Sequence, residues 1–532
     1  MTKKHSLVGG IGLLGLAGLI CKVVGVLYRI PLANMIGGEG LGLYQQVMPA
    51  YNLLLTITSA GIPVAISRLV SHHVTLERHR TARKIFRVSL KLLTVLGIVT
   101  TILLFALSRT IARAVGTPEG YSSYMCIAPS LLFVCVMSAF RGYMQGMRHM
   151  LPTAVSQLIE QVGKVAVALP MASIGFQRGG WVMGAAGALL GTSLAECVAL
   201  LYMILHMRKV DTPAPVIDED VPGGRRIASQ VIAISIPITL GACIVPLAST
   251  IDSAMLKNLM TLGGLSDSEA RIRYGMYSGM VITMINVPTA LAMAMSTNLV
   301  PDIASGMARG DMPYVSKETC TGLRIASLVG FPCSIGMSLL AKPILFLCYG
   351  SSSYTYDQLM LAGDLLHVSA MTIILFTQVQ ATSGILQGVG KQRIPMLTLL
   401  MGVVLKITLN LILVRNPDIG IHGAPIASLV CYTVSMVPNL YFSCKYTRTR
   451  FRADEVILRP LAASAVMGGS VYAVYRFLFS GDAGLAMGQF GRTLLTVAVS
   501  MAVGVVSYAA AAYVFRAFRT DDLPIHLPKR KA

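Results

Sequence analysis

The chain is short of charge. Only 13% of its 532 residues are Asp, Glu, Lys or Arg, against about 25% in soluble globular proteins. Long polar segments are also missing. The longest, roughly 207–227, contains Asp218-Glu219-Asp220 and then Pro222-Gly223-Gly224, and reads as a linker. No soluble domain is expected. There is no CxxC pair and no metal-like spacing among the ten cysteines. Most lie inside apolar runs (Cys21, Cys126, Cys135, Cys197, Cys243) and read as small buried hydrophobes. The histidines His72, His73, His79, His149 and His206 sit near the ends of apolar runs without ligand spacing. No phosphate-binding glycine loop is found, so ATP-driven pumping is not expected. The largest outer loop, 257–273, is too short for a catalytic domain. The chain is expected not to be an enzyme and to need no cofactor.

What remains is apolar sequence. Hydrophobic residues make up 54% of the chain, and mean hydropathy is +0.68. Runs of about twenty apolar residues cross a membrane as helices. Fourteen are expected, at 8–36, 42–70, 87–108, 121–145, 153–176, 181–206, 228–256, 274–300, 320–346, 360–388, 394–414, 422–444, 459–479 and 491–516. The N-terminus, Lys3-Lys4 before an apolar run from Leu7, has the opening of a signal peptide. The run continues to Ile36 without a small-x-small cleavage site, so an uncleaved first helix is expected.

An even number of crossings puts both ends on one side. With the N-terminus inside, cytoplasmic segments hold about 28 of the 44 Lys and Arg residues, outer segments about ten, and about six lie in or near the membrane. That asymmetry favours cytoplasmic termini in the cell membrane. It accounts for most of the +21 net charge without nucleic acid. Basic clusters such as Arg78, Arg80, Arg83 and Lys84 fit orientation and contact with anionic membrane lipids.

The sequence repeats itself. Gly142-Tyr143-Met144-Gln145-Gly146, Pro152 and Lys164 correspond to Gly384-Ile385-Leu386-Gln387-Gly388, Pro395 and Lys406, at an offset of about 240 residues. Gly184-Ala185 answers Gly423-Ala424, and Gly61-Ile62-Pro63-Val64-Ala65 resembles Asn286-Val287-Pro288-Thr289-Ala290. The expected organisation is an all-α polytopic membrane protein. A six-helix lobe (1–210), a linker (211–227), a second six-helix lobe (228–450), two extra helices (451–520) and a basic tail (521–532) follow one another. Parallel repeats of this kind place substrate between the lobes. Pro31, Pro49, Pro63, Pro237, Pro246 and Pro288 would bend helices in both halves, as alternating access requires.

The candidate site begins in the stretch Leu13–Val70, where Gly37-Gly38-Glu39-Gly40 joins two long apolar segments. The first carries Lys22 and Arg29. A cation at the bilayer centre costs about 2.5–3.5 kcal/mol on insertion scales, so both should face protein or water. Lys164 and Lys406 are deep cations at matching repeat positions. Glu160, four residues before Lys164, offers an ordinary helical ion pair, and Glu196 and Asp252 are further intramembrane acids. Deep cations outnumber deep acids when Lys91 and Arg68 are included, so a water-filled cavity for an anion is expected, with phosphate as the guest, gripped bidentately by Arg and as a point charge by Lys. Arg68 is a snorkelling helix-end residue or an inner gate. Asp252 and Asn410 are candidates for coordinating Na+ or relaying H+, with Lys257 an alternative partner for Asp252.

Three motifs carry a family resemblance: Tyr28-Arg29-Ile30-Pro31-Leu32, Gly40-Leu41-Gly42-Leu43-Tyr44-Gln45, and Gly61-Ile62-Pro63-Val64-Ala65-Ile66-Ser67-Arg68-Leu69-Val70. Together they resemble the stage V sporulation protein B group. That group lies in the polysaccharide-exporter branch of the multidrug/oligosaccharidyl-lipid/polysaccharide (MOP) flippase superfamily and is similar to the MurJ lipid II flippases. The resemblance implies a fourteen-helix MurJ/MATE-like fold and an undecaprenyl-pyrophosphate-linked saccharide moved to the outer leaflet. It implies an arginine-lined cavity in which Lys22 takes one position and Arg29 lies at or beside another. Two further family arginines fall near Leu53–Leu54 and Thr283, and are absent. Asp252 and Asn410 approximate a sodium site, where Val414 replaces an expected acid. The expected function is therefore a flippase for lipid II or a related precursor, with other cell-wall synthesis proteins as partners. The alternatives are a cation-coupled multidrug exporter and a non-transporting scaffold of cell-wall or spore-cortex assembly.

Overall fold

A computed structural model describes residues 7–207, 221–350, 354–478 and 490–517, without the side chains of residues 7–16, 19, 22, 294, 295, 297 and 298. The linker acids at 218–220 and the tail at 521–532 lie outside the described residues. All regular structure among the described residues is helical, in two compact units, Met1–Gly279 and Met280–Ala532.

The first unit contains α1 (Leu7–Ser59), α2 (Ile62–Thr75), α3 (His79–Ala114), α4 (Tyr121–Gly146), α5 (Leu151–Gly163), α6 (Leu169–Met207), α7 (Gly224–Ala242), α8 (Ile244–Leu262) and α9 (Asp267–Gly275). The two longest, α1 and α6, both fold at glycine. α1 breaks at Gly37 (φ 68°, ψ −176°), inside the glycine cluster expected to form a turn. α6 breaks at Gly179–Gly180, where Gly180 has φ 64°. A side chain is strained at these positive φ values. The two arms of α6 then run back along each other. A Cβ on Gly175 would lie 2.2 Å from the Met183 carbonyl oxygen, and one on Gly191 would lie 2.3 Å from the Ala168 Cα. Only hydrogen fits between these arms.

α9 lies against the other glycine cluster. A Cβ on Gly42 would strike the carbonyl oxygen of Arg271 at 2.4 Å, and one on Gly275 the Gly42 nitrogen at 2.6 Å. The Gly40-Leu41-Gly42 motif thus has a steric reason: it lets a second backbone pack directly on α1. Around it Tyr28, Leu32, Leu43, Tyr44, Val47 and Tyr51 of α1 are buried with residues of α4 and α6.

The second unit contains α10 (Ile282–Arg309), α11 (Met312–Leu339), α12 (Ala341–Tyr349), α13 (Tyr356–Ser369), α14 (Thr372–Gly388), α15 (Arg393–Leu413), α16 (Gly423–Tyr446), α17 (Arg459–Leu478) and α18 (Phe490–Val514). The last two pack on α11. Tyr508 of α18 donates to the Leu328 carbonyl at 2.7 Å, and Arg324 of α11 pairs with Glu455, in the π-helical turn before α17, at 3.4 Å. Arg324 is buried with a buried carboxylate, so this intramembrane cation ties helices together.

The internal repeat reappears as packing. In the first unit a Cβ on Gly142 or Gly146 of α4 would meet Pro63 and Val70 of α2 at 2.8 and 2.7 Å. In the second, a Cβ on Gly384 or Gly388 of α14 would meet Ser296 and Ile303 of α10 at 2.6 and 2.7 Å. The matched glycines do the same work in each unit.

Among the described residues, eleven helical segments are long and apolar enough to cross a membrane, or twelve with the bent pair α7–α8. Two of them, Val23–Thr75 and Leu151–Met207, are 53 and 57 residues long and contain the folds just described. The chain is a multi-pass membrane protein.

Candidate functional site

Four of the first unit's helices meet at a buried polar centre. α5 passes into α6 through a π-helical turn that begins at Lys164. Such turns re-aim side chains and recur at functional sites. Lys164 Nζ lies 3.1 Å from Glu160 Oε1, the expected one-turn pair, and 3.9 Å from Glu196 Oε1 on α6. Arg141 of α4 adds a second cation, with Nη2 3.3 Å from Glu160 Oε2 and Nε donating to Ser156 Oγ at 2.9 Å. Tyr51 of α1 donates to Glu196 Oε1 at 3.2 Å. Two cations and two carboxylates balance formally. Every one is at most 18% exposed.

This corrects the charge count. Lys164 does not add to a cation surplus, because two carboxylates hold it. Arg141, which joins it, carries no sequence signal beyond an arginine about four-fifths along an apolar segment. Lys406, the repeat partner of Lys164, is likewise half-buried, on α15.

Lys22 and Arg29 both lie in α1. The side chain of Lys22 is outside the described residues, and Arg29 is half-buried. Between them, Gly25 faces α5: a Cβ there would lie 3.8 Å from Gln161 Oε1. Cys21 is close enough to Glu160, Arg141 and Lys164 to feel their charges. The first part of α1 therefore runs beside the polar centre. Arg68 is exposed on α2, away from the buried set.

Asp252 is half-buried on α8, and Asn410 is buried on α15. They belong to different units. Lys257 takes another acid, pairing with Asp267 and donating to the Gly116 carbonyl. Among the described residues no group of three or more His, Cys, Asp or Glu side chains is placed to hold a metal ion.

A second cluster in the same unit involves residues that sequence reasoning passed over. Arg271 of α9 is buried, with Nη2 2.7 Å from Glu119 and 2.5 Å from Asp267. Its guanidinium lies 4.4 Å from the centre of the Trp181 ring, the first residue after the α6 fold. One residue thereby joins α9, the turn before α4 and the tip of α6.

With this geometry in hand, comparison with known proteins is informative. The family described as "Polysaccharide biosynthesis protein" matches residues 7–307, more than half of the chain. The chain belongs to this family. Within it, the chain is 27% identical over 430 residues to stage V sporulation protein B of Bacillus subtilis (strain 168), covering 80% of this chain and 81% of that protein. It is 24% identical over 525 residues to the lipid II flippase MurJ of the same organism, covering 95% of each. A solved structure of lipid II flippase MurJ in an inward closed conformation superposes with a TM-score of 0.70 at 12% identity, over 94% of this chain and 98% of that one. The chain thus shares the MurJ fold. The resemblance read from the α1 and α2 motifs holds.

Proposed function

We propose that the protein flips an undecaprenyl-pyrophosphate-linked saccharide, lipid II or a related cell-wall or polysaccharide precursor, across the cytoplasmic membrane. The observation that carries this reading is the end-to-end match to a curated lipid II flippase, 95% of each chain. The composition supports it, because the intramembrane cations of α1 have the chemistry to neutralise a pyrophosphate.

In this reading Lys22 and Arg29 bind the pyrophosphate and Lys406 assists. Lys164 supports them through the balanced centre beside α1, and Arg68 contacts the headgroup at the inner mouth. Asp252 and Asn410 serve the coupling ion, Na+ or H+. The polyprenyl tail stays outside, along a groove lined by α17 and α18. Exposed Val505, Val506 and Tyr513 on α18 suit contact with hydrocarbon. Fourteen crossings place both termini in the cytoplasm, and the lobes rock to expose the cavity to each side in turn.

The test is reconstituted translocation. Labelled lipid II and a lipid-linked teichoic or capsular precursor are compared in vesicles containing wild-type protein or Lys22→Ala/Arg29→Ala. Translocation of one of these lipids that disappears in the double variant is expected. Normal transport by the double variant would overturn the charge assignment, and no transport of any such lipid would overturn the function.

A further inference from the structure

α3 is longer than a membrane needs. Its 36 residues extend about 54 Å at 1.5 Å per residue, against a hydrocarbon thickness of about 30 Å. Its uncharged run starts at Leu92 and ends before Arg109. The turns from His79 to Lys91 therefore stand at the membrane surface. On them, Arg80, Arg83, Lys84, Arg87 and Lys91 follow one helical face. With Val88 and Val221 they line a cavity of about 450 Å³ in which, among the described residues, every charged wall residue is a cation. That volume lies in the range of small-ligand pockets, about 300–1,000 Å³. The start of α7 closes it, since a Cβ on Gly224 would lie 3.6 Å from Val88.

The same face continues into the membrane as an apolar stripe. From Lys91 the helical steps lead to Val95, Ile98 and Ile102, which are 62%, 42% and 62% exposed. A basic cavity at headgroup level thus sits directly above an open hydrocarbon track. A soluble anion would use the first feature and leave the second without a role. A lipid uses both.

We propose that this cavity binds the phosphate headgroup of an acidic phospholipid whose acyl chain lies along Val95, Ile98 and Ile102. Cations near a membrane surface attract anionic lipid. Five of them lining one cavity make the lipid they hold distinct from the surrounding annulus. The site is remote in sequence from Lys22 and Arg29, and it stands whether or not the proposed substrate is correct.

The experiment is native mass spectrometry of the full-length protein in detergent. It is titrated with phosphatidylglycerol or with phosphatidylcholine of the same acyl chains. Wild type is expected to retain one phosphatidylglycerol at least tenfold more tightly than phosphatidylcholine. Arg80→Gln/Arg87→Gln should weaken that lipid about 30-fold, equivalent to about 2 kcal/mol. Arg80→Lys/Arg87→Lys should hold it within about threefold. Both pairs change exposed residues, and an unchanged melting temperature verifies folding.

Equal retention of the two lipids by wild type, or undiminished phosphatidylglycerol binding by the Gln variant, overturns the proposal. So does an equal loss in Arg448→Gln/Arg450→Gln, which would indicate general surface charge. Soluble glycerophosphoglycerol binding as tightly as the lipid would make it a free-phosphate site, against the proposal. Tight binding only after Asp218→Asn/Glu219→Gln/Asp220→Asn would assign the cavity to the chain's own acidic segment, and likewise overturn it.

Discussion

Tyr51 and Glu196 are joined by a hydrogen bond of 3.2 Å between α1 and α6, across 145 residues of sequence. Glu196 also faces Lys164 at 3.9 Å, so this contact links the proposed substrate-binding helix to the balanced charge centre. Tyr51→Phe removes one donor and leaves the carboxylate buried. The expected loss of stability is about 1–3 kcal/mol, read from thermal unfolding in detergent. A melting temperature equal to wild type would mean that Glu196 is satisfied without α1.

Glu160 holds two cations, Arg141 and Lys164. Glu160→Gln should cost about 3–5 kcal/mol, because removal of one partner leaves buried charge uncompensated. Lys164→Gln alone should also destabilise. Lys164→Gln/Glu160→Gln should recover part of either loss, and a double-mutant cycle measures the coupling. Strict additivity would show that the ion pair contributes nothing.

Lys164 sits between two carboxylates, Glu160 at 3.1 Å and Glu196 at 3.9 Å. Lys164→Gln should therefore lower the melting temperature in detergent as well as lipid translocation. A melting temperature equal to wild type would show that this charge does not balance the two acids.

Trp181 is the protein's single tryptophan. Its ring lies under the Arg271 guanidinium, so its fluorescence reports that contact directly. Arg271→Gln should change the emission intensity and maximum, and should destabilise by removing a cation from Glu119 and from Asp267, which keeps Lys257. Arg271→Lys restores charge without a planar stacking group, so recovery of stability without recovery of the emission is expected. Identical spectra for wild type and Arg271→Gln would refute the stacked arrangement.

The fold of α6 separates two roles of glycine. Gly180→Ala meets open space but keeps φ at 64°, so a cost of about 1–2 kcal/mol is expected. Gly191→Val would press a side chain into Ala168 of the opposite arm. Loss of folded protein is expected there, read as failure to elute as a single species on gel filtration. A Gly191→Val protein as stable as wild type would mean that the arms are not in contact.

Much of the architecture was legible because it depends on local rules. Long apolar runs announce membrane helices whatever surrounds them. The break at Gly37 was visible because few other residues turn a chain so sharply, and the one at Gly179–Gly180 as the gap between two apolar runs. The α3 boundary was less so. Hydropathy marks where the membrane begins, near 87, whereas the helix begins at His79, because arginine and lysine extend a helix into water without difficulty. The α1 and α2 motifs identified the family correctly, and the structure supplied the steric reason for Gly42.

The sequence by itself determined that this is a multi-pass helical membrane protein with an internal repeat and deep cations in its first segment. Those features follow from composition, spacing and the cost of charge in hydrocarbon. Tertiary structure alone decided which charges cancel. Glu160 lies one turn from Lys164 and could be paired with it on paper. Glu196 and Arg141 reach the same centre only because the α6 arms fold back and α4 packs against α6. Net charge at a buried site is a property of three-dimensional neighbours, and a hydropathy profile does not contain them.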